Sequence, residues 1–188
     1  IADISEAIAG APELANASIT GVAASASLPG EARQAGVDDV AYKTLAIRGY
    51  NDFYLSSTKI EFTHRDPKYG ATDREIWEAL RTDPNLAVMS AVTIIESQNG
   101  GDPSNPFKVD GITGDSPEEV EAIEVTVRPP GGRGEETTRT VIAFMDALAN
   151  GMENSDDRGG PVGAMIFSRS DILQDVSPID VPFTDYQF

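Results

Sequence analysis

His64-Arg65-Asp66 is the triplet with the greatest chemical potential in the chain, because an imidazole, a guanidinium and a carboxylate stand in a row. A kinase catalytic loop would need Leu next and Asn four residues further on. Here Pro67 follows and Ala71 holds the later position. No glycine-rich nucleotide loop precedes it, so the triplet reads as a salt-bridge cluster in a loop. His64 is the only histidine, which excludes any site built on two histidines from one chain. There is no Cys, hence no disulfide framework, zinc–thiolate site or thiol nucleophile. No Ser lies in a G-x-S-x-G elbow, and no Ser or Asp is spaced to make a triad with His64.

The remaining polar clusters read as surface. Gly131-Gly132-Arg133-Gly134-Glu135 lacks the Walker spacing and lies between two expected strands, so it reads as a hairpin turn. Asp110-Gly111-Ile112-Thr113-Gly114-Asp115 and Asn154-Ser155-Asp156-Asp157 supply acids, but neither has the fixed spacing of a calcium loop. Glu118, Glu119, Glu121 and Glu124 could serve as a glycosidase pair only across a sugar-sized gap. As part of a strand they read instead as a solvated face that protects a sheet edge. Asn16-Ala17-Ser18 has the form of a glycosylation sequon. Tyr50, Phe53 and Tyr54 form either a contact patch or packing beneath a loop. No catalytic, cofactor-binding or metal-ligating residue is assigned, and no cofactor is expected.

Positioning elements follow from periodicity. Thr72-Asp73-Arg74-Glu75 is a capping box opening a helix over 72–82, with Ile76, Trp77 and Leu80 as its apolar stripe. Asp83-Pro84 stops it, and Leu86–Ile95 then reads as a buried strand. Helix followed by strand suggests one arm of a βαβ unit. Residues 4–15 read as a helix. Strands are expected at 18–23, 42–49, 57–63, 120–127, 136–144 and 162–167. A hairpin joins the pair at 120–144. Residues 25–39, which carry Pro29-Gly30, read as loop, as do 98–117 and 149–161. A helix over 168–173 is expected to start with Ser168 as N-cap. The fold class is therefore α+β (α/β-like), with mixed β-sheets and a few short helices.

The 188 residues carry 14 Lys and Arg against 31 Asp and Glu, a net charge of −17. That balance repels nucleic-acid phosphates and anionic headgroups. Leu86–Ile95, the longest uncharged apolar run, is far short of the ~20 residues of a spanning helix. Ile1 opens the chain with no initiator Met, basic n-region or apolar h-region. An excised soluble piece of a longer protein is expected to look like this.

The order of several segments resembles the extracytoplasmic domain of an ABC-transporter permease of the MacB/FtsX/LolC type. Arg74-Glu75-Ile76-Trp77-Glu78-Ala79-Leu80-Arg81-Thr82-Asp83-Pro84-Asn85-Leu86-Ala87-Val88 is the most similar stretch. Ile19–Ala23, Ile47–Leu55, Val125–Asp146 and Gly163–Ser168 also resemble family segments, although Ala143 stands where the family has Gly. The resemblance covers roughly residues 15–175. It implies a single extracytoplasmic domain over 1–188, a MacB-like periplasmic core with a porter-like βαβ lobe and a second small lobe. Lobe A would take 1–40 and 120–188, and lobe B 41–119. It also implies a periplasmic or extracellular location in a bacterium or archaeon. The domain would be non-enzymatic, passing ATP-driven motion of the chain's own transmembrane helices to a lipoprotein, peptide or other envelope protein. The cytoplasmic ATPase would act indirectly, and the full-length transporter could be a dimer. A free-standing secreted binding or adhesion module and an acidic-dyad hydrolase are the competing readings.

Overall fold

A computed structural model describes residues 21, 23, 25–91, 93–94, 106–107, 109, 118–132, 134–145 and 165–177. Its elements in chain order are β1 (Ser25–Gln34), β2 (Lys43–Tyr50), α1 (Asp52–Ser57), β3 (His64–Arg65), α2 (Asp73–Thr82) and β4 (Leu86–Ser90). They continue with β5 (Glu118–Glu119), β6 (Ile123–Arg128), β7 (Thr137–Met145), β8 (Met165–Arg169) and α3 (Ile172–Val176). The class is α+β, a mixed sheet with a few short helices.

The sheet runs β4-β8-β2-β1-β6-β7-β3-β5, and β4 also pairs with β7. That extra pairing closes six strands into a barrel. β2–β8 and β4–β7 are parallel pairs, while β1–β2, β1–β6, β4–β8 and β6–β7 are antiparallel. Closure leaves the six strands no free lateral edge over their paired lengths. β6 and the short β3 take successive stretches of β7, with Ile123↔Val141 and His64↔Phe144.

Alternation sorts the side chains into two cores. Ile47, Met89, Val125, Val141 and Ile166 belong to one buried cluster. Tyr50, Ile76, Trp77, Leu80, Val88 and Phe167 belong to the other, where α1 and α2 cover β4, β7 and β8. A register shift against Ala87/Val88 places an extra residue in β7. Val141 and Phe144 therefore join the first cluster, while Ile142, Ala143 and Met145 join the second. Covered on both faces, this stretch of β7 is apolar without alternation.

Several expectations are met and others are corrected. The helix at α2 has its capping box: Thr72 Oγ1 accepts from Glu75 N, and Glu75 Oε2 accepts from Thr72 N. The β6–β7 hairpin turns through Gly131 and Gly132, whose φ values of +75° and +65° suit glycine. Residues 25–34, read as loop, are instead β1. Pro29 is tolerated there because it lies in the half of β1 that borders only β2, since the β6 register starts at Glu31. Residues 57–63, read as a strand, are not one. The Asp73 carboxylate accepts from Phe62 N at 3.2 Å, and the Trp77 indole donates to Ile60 O at 2.9 Å. The apparent alternation of Ile60 and Phe62 reflects packing around Trp77. α1 follows the break after β2, and Asn51 caps it by accepting from Tyr54 N at 3.0 Å.

The strand expected over 86–95 ends at Ser90. Ser168 is not an N-cap but a buried residue of β8, and its hydroxyl donates to Leu86 O at 2.5 Å. The helix after it starts only at Ile172. β3 runs antiparallel to β7 and β4 runs parallel to it, so β3-α2-β4 is not a βαβ crossover. Around the barrel β8 stands between β4 and β2, and β1, β6 and β7 follow in succession. The helix expected at 4–15, most of the strand at 18–23, and the loops at 98–117 and 149–161 lie largely outside the described residues.

Candidate functional site

The residues singled out by type do not converge. His64 is buried, with Nδ1 3.0 Å from Thr63 Oγ1. Arg65 turns away to pair with Asp73 of α2 at 3.0 Å. Asp66, only 2% exposed, accepts from Lys68 N and Ala122 N, both at 2.9 Å. Its carboxylate thus ties the turn after β3 to the segment leading into β6. Glu119, Glu121 and Glu124 are exposed. The acids at 110–115 and 154–157 and the sequon at 16–18 lie outside the described residues. Among the described residues, no three His, Asp or Glu side chains are grouped to hold a metal ion. Tyr50 is packed, stacking on Tyr54 at 4.0 Å and on Phe167 at 5.9 Å. Burial first, and then Tyr54, drives its phenol far above the ordinary value.

Charge is concentrated instead at two places. At the hairpin, the Tyr42 ring lies between the Arg33 and Arg128 guanidiniums, 4.5 and 3.6 Å from its centroid. Both arginines are also ion-paired, Arg33 with Asp38 at 3.0 Å and Arg128 with Glu31 at 2.9 Å and Glu136 at 3.3 Å. Gly131 N donates to Glu31 as well, which pins the turn to β1. This cluster joins β1, the loop before β2 and the hairpin.

The second place is one rim of the barrel. Ser25, the first residue of β1, is paired with Tyr50, and Arg169, the last residue of β8, is paired with Tyr50 on its other side. β1 therefore starts and β8 ends beside the same residue. Two strand spacings separate Ser25 from Arg169, about 10 Å. α3 follows directly and lies across this rim, burying Ile172, Leu173 and Val176.

An ionic network fastens the rim. Arg139 of β7 is only 7% exposed and meets Asp175 of α3, itself 10% exposed, with Nη2 to Oδ2 at 2.6 Å. Its Nε also reaches Asp175 at 2.7 Å, and its Nη1 reaches the Pro84 carbonyl and, at 3.9 Å, Asp171. Arg169 pairs with Asp171 at 3.4 Å and donates to Arg81 O at 3.2 Å. Arg81 in turn pairs with Asp52 of α1 at 3.0 Å and with Glu78 at 2.6 Å. The network thus runs from α3 through β7 and β8 to α2 and α1. Burial pushes the Asp175 carboxyl above its usual range even though Arg139 pulls it down. Hydrogen bonding to Arg81 holds the exposed Glu78 carboxyl below that range.

The network's members are scattered along the sequence, so sequence reasoning missed them. Two signals were available. Arg139 sits in phase with inward Val141 of a strand, and Asp171 and Asp175 stand at i and i+4 around a short helix. Chemically, the site holds elements together: each described carboxylate in it faces a guanidinium. Compared with known proteins, the chain matches no protein-family model, no curated protein and no solved structure.

Proposed function

We propose that this chain is the extracytoplasmic domain of an ABC-transporter permease of the MacB/FtsX/LolC type. It performs no bond chemistry; it carries ATP-driven motion of membrane helices to an envelope protein, lipoprotein or peptide. The observation that carries this reading is the single rim at which β1 starts and β8 ends, on either side of Tyr50. A domain inserted between two spanning helices must receive and return its chain on the side facing the bilayer.

The barrel suits the role mechanically. A displacement at Ser25 or beyond α3 reaches a closed ladder, in which no strand can slide without breaking pairs on both sides. The network through Arg139, Arg169 and Arg81 couples the rim to the helices on the outer face. Motion does work on a partner only if the partner contacts differ between two states. The net charge of −17 keeps the domain off anionic headgroups, so the partner rather than the lipid receives it. The MacB-like periplasmic lobes belong to this same proposal.

An antiserum to the domain tests the reading in cells of the source organism. The expected antigen is longer than 188 residues, stays with carbonate-washed membranes and co-purifies with an ATP-hydrolysing subunit. An antigen that is freely soluble and bound to no ATPase would overturn it in favour of a free-standing binding module.

A further inference from the structure

We infer that this fold is salt-requiring: its own surplus of carboxylates weakens it in dilute buffer, and simple salts strengthen it by screening them. The inference rests on the charge inventory and on where the charges sit, and it is independent of the transport reading.

The chain carries 31 Asp and Glu against 14 Lys and Arg, a net charge of −17. The structure shows how the basic side chains are spent. Arg33, Arg65, Arg81, Arg128, Arg139 and Arg169 each pair with a carboxylate, and Arg81, Arg128 and Arg139 with two. Arg74 donates to the Ser56 carbonyl. Asp39, Glu61, Glu119, Glu121, Glu124 and Glu135 are exposed, and among the described residues none of them has an ion-pair partner. Two residues of extended chain span about 7 Å, so the Glu119 and Glu121 backbones are no farther apart than that. This lies inside the Debye length of about 10 Å at 0.1 M salt and well outside the length of about 3 Å at 1 M.

Salt also screens attraction, so the sign depends on which side yields more. The Arg139–Asp175 pair is shielded by burial and is screened little. In Arg33–Asp38 and Arg81–Asp52 the acids are 82% and 72% exposed, and such pairs contribute little in water to begin with. Repulsion among the surplus acids is exposed, long-range and summed over the whole chain, so it is the part that salt removes. Folding gathers those charges and unfolding spreads them, so screening favours the folded chain.

Urea unfolding of the 188-residue chain, followed by Trp77 fluorescence in about 10 mM, 100 mM and 1 M KCl at pH 7, reads the effect. The parent midpoint should rise by about 1 M urea or more across that series. In Glu119→Lys/Glu121→Lys/Glu124→Lys each swap changes the charge by two, which brings the net charge from −17 to about −11. Repulsion scales with the square of the charge, so this variant's rise should be about half the parent's, and its midpoint in the most dilute buffer should be the higher of the two. Asp39→Lys/Glu61→Lys/Glu135→Lys, drawn from three other segments, should behave alike because total charge is the cause. A parent midpoint that is flat or falls with KCl would overturn the inference. So would either triple variant, once shown to be folded by circular dichroism, if its midpoint rose as much as the parent's, since KCl would then act without regard to charge.

Discussion

Replacing Arg139 by Met removes the cation at the centre of the rim and keeps most of the side-chain volume. Arg139 and Asp175 are both at least nine-tenths buried and joined by two contacts under 2.8 Å. Breaking a buried pair by deleting one partner typically costs about 3–5 kcal/mol, because the other charge stays in a poorly hydrated place. The Pro84 carbonyl also loses its donor, which costs about 1 kcal/mol where water cannot replace it. With a urea m-value of about 2 kcal/mol/M for a domain of this size, the summed cost should lower the midpoint by about 2–3 M at pH 7. At lower pH Asp175 can take up a proton, so the deficit should shrink. The double variant Arg139→Met/Asp175→Leu should recover most of the loss, since exchanging a whole buried pair for apolar side chains is often close to neutral. Urea unfolding followed by Trp77 fluorescence reads all three proteins. A single-variant shift under about 0.5 M, or a double variant no better than the single, would refute the reasoning.

Three further outcomes follow from other parts of the fold. Trp77→Ala should cost about 3–5 kcal/mol in urea unfolding followed by circular dichroism, because the indole is 1% exposed and also supplies the donor for Ile60 O; an unchanged midpoint would place the residue wrongly. Thr72→Ala should cost about 1 kcal/mol by removing the side-chain half of the α2 cap, while Thr72→Ser should retain most of it. Asp175 has a folded pKa above its unfolded one, so the folded state binds the proton more tightly. Its contribution to stability is present below the ordinary value of 3.8 and is lost as pH rises through the folded pKa. Thermal unfolding at a series of pH values should therefore show a fall over that window in the parent that Asp175→Asn lacks. Matching pH profiles for the two would contradict it.

What was legible in the sequence was local. α2 declared itself because its cap, its stripe of Ile76, Trp77 and Leu80 and its Asp83-Pro84 stop lie within one short run. The β6–β7 hairpin did so because a glycine turn separates two alternating segments. Pairings between distant segments were not legible. β2 with β8 and β4 with β7 are parallel neighbours from far apart in the chain, and nothing in either segment names its partner. β1 was hidden by Pro29-Gly30, whose turn preference is overridden by pairing with Ala46 and Leu45. Residues 57–63 misled in the opposite direction, since two apolar residues spaced as in a strand pack around Trp77. At the site, His64-Arg65-Asp66 drew notice by composition but spends its polar atoms on local fastening. Arg139, Asp171 and Asp175 drew none because only the closed barrel brings them together.

The proposed transport role requires the rim where β1 starts and β8 ends to move as one piece when ATP is used. A chain without cysteine can be labelled cleanly at Ser25→Cys and Ser170→Cys, which flank Tyr50. Pulsed EPR on the membrane-bound parent should give one short, narrow distance between the labels, the same in ATP-bound and nucleotide-free states, while the labels' exposure to a membrane-bound relaxation agent changes with nucleotide. A long or broad distance, or no nucleotide dependence of that exposure, would contradict the account.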